Sequence, residues 1–166
     1  LRNQIIMKYT DDLIRELITC EKHIVDSSGN LKEENGYLRR NLSLLSVDRD
    51  YEFFVFIRMN ISFQENFSIG LEFNPREERG RVCLVRYNGP HGPNRQYPHH
   101  ESCHIHRATE ETISENRKPD SNIVETQLYS TFNDALNVFI RDINISVEDR
   151  KKHFPPIDTQ GNLFSI

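Results

Sequence analysis

The sequence predicts an α+β fold: a single domain built on one twisted antiparallel sheet of about five strands, with an N-terminal and a C-terminal helix. Three observations predict it. Near the start, Ile6, Tyr9, Leu13, Leu17, Cys20 and Ile24 recur three or four residues apart, the period of a helix with one apolar face. From Tyr37 to Tyr87 a two-residue alternation takes over, broken by short polar turns that join neighbouring strands antiparallel. The helical period then returns at Phe132, Leu136, Phe139, Ile140 and Ile143. A chain of 166 residues is long enough to bury one real core. The domain is expected to span 1–166, with its core over about 3–145 and a tail over 146–166.

Each element follows from its local pattern. Residues 3–26 read as the first helix, stopped by Ser27-Ser28-Gly29-Asn30. Thr10 before Asp11 and Asp12 offers a later N-cap. Tyr37–Val47 reads as a strand, and Asp48-Arg49-Asp50 as the turn after it. Phe53–Phe63 is the strongest strand: Phe53, Val55, Ile57, Met59, Ile61 and Phe63 share one face, and Arg58, Asn60 and Ser62 the other. Phe54 and Phe56 break the alternation, which predicts that this end is buried on both faces or lies under a helix. Phe67–Phe73 and Arg81–Tyr87 continue the meander, and Cys103–Thr109 closes it. Residues 110–122 are polar and aperiodic and read as a flexible loop. Thr131, with Asp134 three residues on, caps a helix over Phe132–Ile143. In the tail, Phe154 and Phe164 offer apolar contacts to the sheet.

Composition narrows the function classes. The net charge of -4 excludes a uniformly basic nucleic-acid binder. The charge is uneven, however: from Arg76 to Arg107 six arginines face three glutamates. An acidic body with one basic segment suggests a local anionic partner such as phosphate, RNA or an acidic protein surface. Three cysteines without CxxC spacing make neither a disulfide framework nor a zinc ribbon, and point to a reducing compartment. No apolar run approaches the ~18 residues of a membrane span. The expected location is cytoplasmic, with no membrane partner.

Five of the seven histidines fall between Arg86 and Arg107: His91, His99, His100, His104 and His106. Asn88-Gly89-Pro90 and Gly92-Pro93-Asn94 are turn signals, so the front of this segment is a loop. The back reads as a strand with His104 and His106 on one face. Three readings stay open. In the first, His104, His106 and a third group from His99, His100, Glu101 or His91 hold Zn or Mn. In the second, no cofactor is present: His104, His106 and His100 are the catalytic acid and base on a phosphodiester. Arg86, Arg95 and Arg107 then stabilise charge, Tyr87 and Tyr97 stack on bases, and His91 and His99 help bind substrate. In the third, the segment is structural or a non-catalytic binding surface.

The run Arg86-Tyr87-Asn88-Gly89-Pro90-His91, then Tyr97-Pro98-His99-His100 and His104, resembles the R-Y-D-N-x-P-H-H…F-P-H-H-K-H signature of the TumE-type toxin family of bacterial toxin–antitoxin modules. Asn88-Gly89-Pro90 with His104-Ile105-His106 also resembles an uncharacterised bacterial group with N-G-P-x-H…H-x-H. Asn88-Gly89 stands where the first signature has D-N, and Gly92 where it has a second histidine. The resemblance implies a bacterial cytoplasmic toxin component acting on RNA, as an endoribonuclease, with a cognate antitoxin as partner. The alternative is an antitoxin-type interaction protein.

Overall fold

Thr10 decides where the first helix begins. Its backbone is extended and its side chain accepts a hydrogen bond from the Leu13 N–H, so α1 runs Asp11–Thr19. The computed structural model describes residues 7–48, 51–76, 78, 80–92 and 98–155. Residues 1–6, and with them the first four residues of the expected helix, lie outside these. Its other end needs correction, because Lys22–Ser27 is strand β1. A spacing of four fits a strand face as well as a helix face, so Cys20 and Ile24 supported both readings. Pairing with a long neighbouring strand decides for β.

Among the described residues the sheet has eight strands, all its paired strands antiparallel, which corrects the expectation of about five. After β1 come β2 (Lys32–Glu34), β3 (Tyr37–Ser46), β4 (Glu52–Asn60), β5 (Phe67–Asn74), β6 (Val82–Asn88), β7 (His104–Arg107) and β8 (Asn122–Glu125). The order is β1-β3-β4-β5-β6-β7-β8, with β2 also on β3. The additional strands are short or polar, so their alternation carries little signal. β4 ends before Ile61 and Phe63. Asn60 Oδ1 accepts from the Ser62 and Phe63 N–H groups at 2.9 and 3.0 Å, turning the chain and leaving Phe63 exposed.

Residues 110–122 are not a loop throughout. Thr109 and Thr112 form a reciprocal cap for α2 (Glu110–Ser114), and the chain then turns into β8. A helix of five residues is too short to show a period. The last part of the fold is α3 (Phe132–Asp142), capped by Thr131 as expected, and α4 (Val147–His153), which occupies part of the expected tail. Phe154 lies under the Arg40 guanidinium at 4.8 Å; residues 156–166 lie outside the described residues.

One face of the sheet is the core. Leu42 and Leu44, then Val55, Ile57 and Met59, then Ile69 and Leu71, pair across the strands and are buried. α1 and α3 pack on this face through Leu17 and Phe139. Lys22, fully buried, ties the two helices together. Its ammonium donates to the carbonyls of Ile18, Cys20 and Ile143 at 2.8, 2.7 and 3.0 Å, the last turns of α1 and α3. Burial pulls its pKa down to about 8.

The other face stays open across its centre. Phe54 and Phe56 belong to it, and arginines rather than a helix cover them. Arg81 sits 3.8 Å over Phe54, and Arg58 sits 5.2 Å over Phe56. Phe56 also fills the space over Gly70, where a Cβ would meet its ring at 2.3 Å. Every functional side chain described below belongs to this face or to the loops folded onto it.

Candidate metal centre

Antiparallel pairing sets His104 and His106 beside two particular residues of β6. His104 is opposite Asn88, and His106 is opposite Arg86. All four side chains therefore share the open face, as the alternation of the segment predicts. His104 is 0% exposed and His106 8% exposed, so a short strand holds both rigidly.

The loop then folds back over them. Gly89 passes so close to the β4–β5 turn that a Cβ would lie 1.9 Å from the Glu65 carbonyl oxygen, and its N–H donates to the Phe67 carbonyl at 3.1 Å. The His91 N–H donates to the His100 carbonyl at 2.7 Å and closes the loop at its base. Residues 93–97 lie outside the described residues, and with them Arg95 and Tyr97. A single 3₁₀ turn, Pro98–Glu101, carries His99 and His100 to the strand. The His99 ring lies 5.0 Å from that of His104 and 6.2 Å from that of His106, centre to centre. His104 and His106 are 5.1 Å apart. His91 and His100 complete the group, 4.8 Å from each other and 5.1 and 6.0 Å from His104. All five clustered histidines of the sequence converge.

Within the group, His99, His104 and His106 offer nitrogens that all lie within 4.8 Å of one another. Three nitrogens on one zinc ion at ~2.0–2.1 Å sit about 3.4 Å apart, so small ring rotations close the set. The third member is His99, one of the candidates offered beside His100 for that place; the His100 ring lies 4.8 Å from that of His91.

Backbone carbonyls orient both strand histidines. His104 Nδ1 is 2.8 Å from the Ser102 carbonyl, and His106 Nδ1 is 3.0 Å from that of Asp120. A carbonyl only accepts, so His104 Nδ1 carries the proton and its Nε2 keeps its lone pair. His106 Nδ1 also lies 3.3 Å from Arg86 Nη2, which only donates; the shorter carbonyl contact favours the same tautomer there. Asn88 Nδ2 is 3.3 Å from His104 Nε2, a long contact that a stronger Lewis acid can replace. Hydrogen bonds from Nδ1 to a fixed acceptor are the usual support of metal-binding imidazoles.

The electrostatics favour neutral rings. Burial pulls the His106 pKa down to about 4, with the Arg86 charge adding to it and the Asp120 contacts opposing. His104 is lowered by burial, against the Ser102 hydrogen bond, and by His99, His100 and Arg86. His91 keeps an exposed edge, yet lost hydration and then repulsion from His104 and its neighbours lower it to about 4. Burial and His99 lower His100 as well. Arg86 itself is held by Asp120, 2.9 Å away, whose carboxylate is 1% exposed. The contact lies off a hydrogen-bond line, so charge rather than a directed bond holds the pair.

A stability consequence follows for the metal-free protein. His106 titrates near 4 when folded and near 6.5 when unfolded, so between those values the unfolded chain binds more protons. This contribution is complete above about pH 6.5 and disappears as pH falls to about 4; it amounts to about 3 kcal/mol. Urea midpoints in chelator are expected to fall steeply from pH 6.5 to 4.5, and His106→Gln to make that fall shallower while His91 keeps its own share. A wild-type midpoint constant over that range contradicts the assignment.

Two expected substrate contacts face elsewhere. Tyr87 pairs with Ile69 and Ile105 on the core face, is 1% exposed, stacks on Tyr129 at 5.5 Å, and donates to Asp142. Its ring has no open side for a base. Arg107 pairs with Val85, one residue out of phase with His106, and so points away from the histidines. Conversely, Asn88, Asp120 and the Ser102 carbonyl escaped the sequence reading. Asp120 follows Pro119 in a segment read as solvated loop; only the tertiary turn after α2 brings it under Arg86.

Beside the histidines the open face carries a cleft of about 380 Å³. Arg39, Arg58, Ser68, Arg86, Asn88 and His91 are among its lining residues. Among the described residues no helix is long and apolar enough to cross a membrane. No protein-family model, curated protein or solved structure matches the chain.

Proposed function

We propose that this protein is a histidine-ligated metalloenzyme that cleaves RNA, in the manner of the toxin family its Arg86–His106 motif resembles. The observation that carries the reading is the convergence of His99, His104 and His106 beside an arginine-lined cleft, with both strand histidines held by backbone carbonyls. A metal ion of the zinc type, held by the three imidazoles, would supply Lewis acidity to a phosphate oxygen. The chain's own groups do the rest. Arg86 binds a second phosphate oxygen while Asp120 fixes its guanidinium. His91, on the cleft wall with an exposed edge, accepts the proton of the attacking hydroxyl, and water in the open cleft protonates the leaving oxygen as its P–O bond breaks. The buried strand histidines are neutral, which suits ligands better than a general acid, and this favours a bound metal over the metal-free mechanism.

The test uses a mixed RNA pool. Cleavage is expected with Zn²⁺ or Mn²⁺ and not in chelator, and both His104→Ala and His106→Ala are expected to lose it. Undiminished cleavage in chelator would return the reading to metal-free acid–base catalysis; no cleavage under any condition removes the enzyme reading.

One observation favours a second reading, that of an interaction protein paired with a cognate toxin or antitoxin. β8 is a sheet edge and carries Val124, 55% exposed, with Leu128 nearby at 64%. That reading predicts metal binding without turnover, and loss of partner binding in Val124→Lys.

A further inference from the structure

The cleft holds more than the metal centre needs. One register row runs across five strands: Arg39 on β3, Arg58 on β4, Ser68 on β5, Asn88 on β6 and His104 on β7. Neighbouring strands are about 4.8 Å apart, so Arg58 starts about 14 Å from His104 and Arg39 about 19 Å from it. A phosphate seated at the histidines touches neither arginine. Yet both line the same cleft as Arg86 and Asn88. Whatever fills it end to end is longer than one phosphate group.

Some polar atoms of this row, and Arg86 beside it, lack partners, although Arg39 Nη1 also lies 3.4 Å from the Glu34 carboxylate. Arg39 Nε, Ser68 Oγ, Arg86 Nε and Asn88 Oδ1 are all buried without a hydrogen bond. Asn88 is only 2% exposed, so its carbonyl oxygen has no bulk water to fall back on. Such orphans are rare and costly in a folded protein, which marks a place where a ligand completes the pairing. The atoms also differ in kind. The arginines donate, as a phosphate requires. Asn88 Oδ1 and Ser68 Oγ accept, as a sugar hydroxyl requires. Arg58 has no carboxylate partner among the described residues, and its guanidinium carbon sits 5.2 Å from the Phe56 ring centre. Its outer face is a platform for a base.

We propose that the open face is a track for single-stranded RNA, with a distal phosphate subsite at Arg39 and Arg58 and ribose hydroxyls on Asn88 and Ser68. It rests on the RNA reading above and deepens it, since it makes the substrate an oligonucleotide rather than a nucleotide or a dinucleotide. Alternating donors for phosphate and acceptors for ribose, beside a stacking surface, fit a nucleic-acid chain better than an acidic peptide, which offers carboxylates alone.

The experiment measures binding, in chelator and without turnover, by anisotropy of labelled oligouridylates two, four and eight nucleotides long. Affinity is expected to rise at least tenfold from the dinucleotide to the octamer. The double variant Arg39→Ala/Arg58→Ala is expected to lose that gain, to bind the dinucleotide as wild type does, and to reduce the salt dependence of octamer binding by about 0.7 in log–log slope, the share of one phosphate contact. A deoxy-octamer is expected to bind several-fold more weakly. Length-independent affinity, a double variant that binds the octamer normally, equal binding of the deoxy-octamer, or equal competition by an oligoglutamate each overturns the track. Failure of metal-dependent cleavage with length-dependent binding intact removes the catalytic reading alone. Cleavage that ignores both arginines removes the track alone.

Discussion

His104→Ala will lose zinc binding by roughly 100-fold or more, with one site per chain lost in a calorimetric titration. Altering a group that merely supports a ligand costs about 10–100-fold in affinity, and His104 is a ligand of the proposed set. The same loss has a thermodynamic signature. At a free metal concentration one hundred times its Kd, the wild-type protein gains about 2.7 kcal/mol of stability, and a variant weakened 100-fold gains about 0.4 kcal/mol. Folding can be separated from binding by comparing the two proteins in chelator, where the variant has only its own packing defect. His99→Ala makes the sharper control. Its ring belongs to the 3₁₀ turn and not to the buried strand, so the sheet is expected to remain intact while the metal response falls. Binding at wild-type strength in both variants would dismantle the metal centre. Because each Nε2 must be unprotonated, the affinity of the wild-type protein is also expected to weaken as pH falls towards 4.

Gly89→Ala will damage the site from outside it. Its new Cβ would fall 1.9 Å from the Glu65 carbonyl oxygen and 2.6 Å from Phe67 Cε1. Neither neighbour can yield easily: one is backbone, and Phe67 is a core residue packed on Phe132 at 5.6 Å. Overpacking of this sort costs about 3 kcal/mol. The chain must also move away from β5, taking His91 and the returning turn with it, so zinc affinity should fall together with stability. A chemical-denaturation midpoint and a zinc titration on the same sample check both. Gly92→Ala is the matched comparison. There a Cβ meets nothing within 4 Å, and the cost comes from the positive φ of 96° alone, about 1 kcal/mol with the histidine cluster retained. Equal effects at the two glycines would contradict the close approach.

The centre of the fold was legible because its strands alternate strongly. Phe53 to Met59 and Phe67 to Phe73 place an apolar side chain at every second position, and short turns leave only antiparallel neighbours. Where an element is short, the pattern fails for want of length. α2 has five residues and β8 four, so the segment 110–122 read as loop although it caps, turns and pairs. β1 was lost differently. Its four-residue spacings satisfy a helix and a strand alike, and pairing with β3 outweighed the helical choice.

The candidate site divides along the same line. The sequence by itself determined that His104 and His106 share a face, because alternation along a strand is local geometry. It also determined that a turn-rich loop would carry His91, His99 and His100, because Pro and Gly constrain the backbone wherever they occur. Only the tertiary structure decided that the loop returns to the strand, since that depends on Gly89 meeting Glu65 across the meander. It decided too that Tyr87 belongs to the core, that Asp120 lies under Arg86, and that Arg39 and Arg58 line up with the histidines. Those are matters of register between strands far apart in sequence. Register is set by the fit of whole apolar faces, and no single segment contains it.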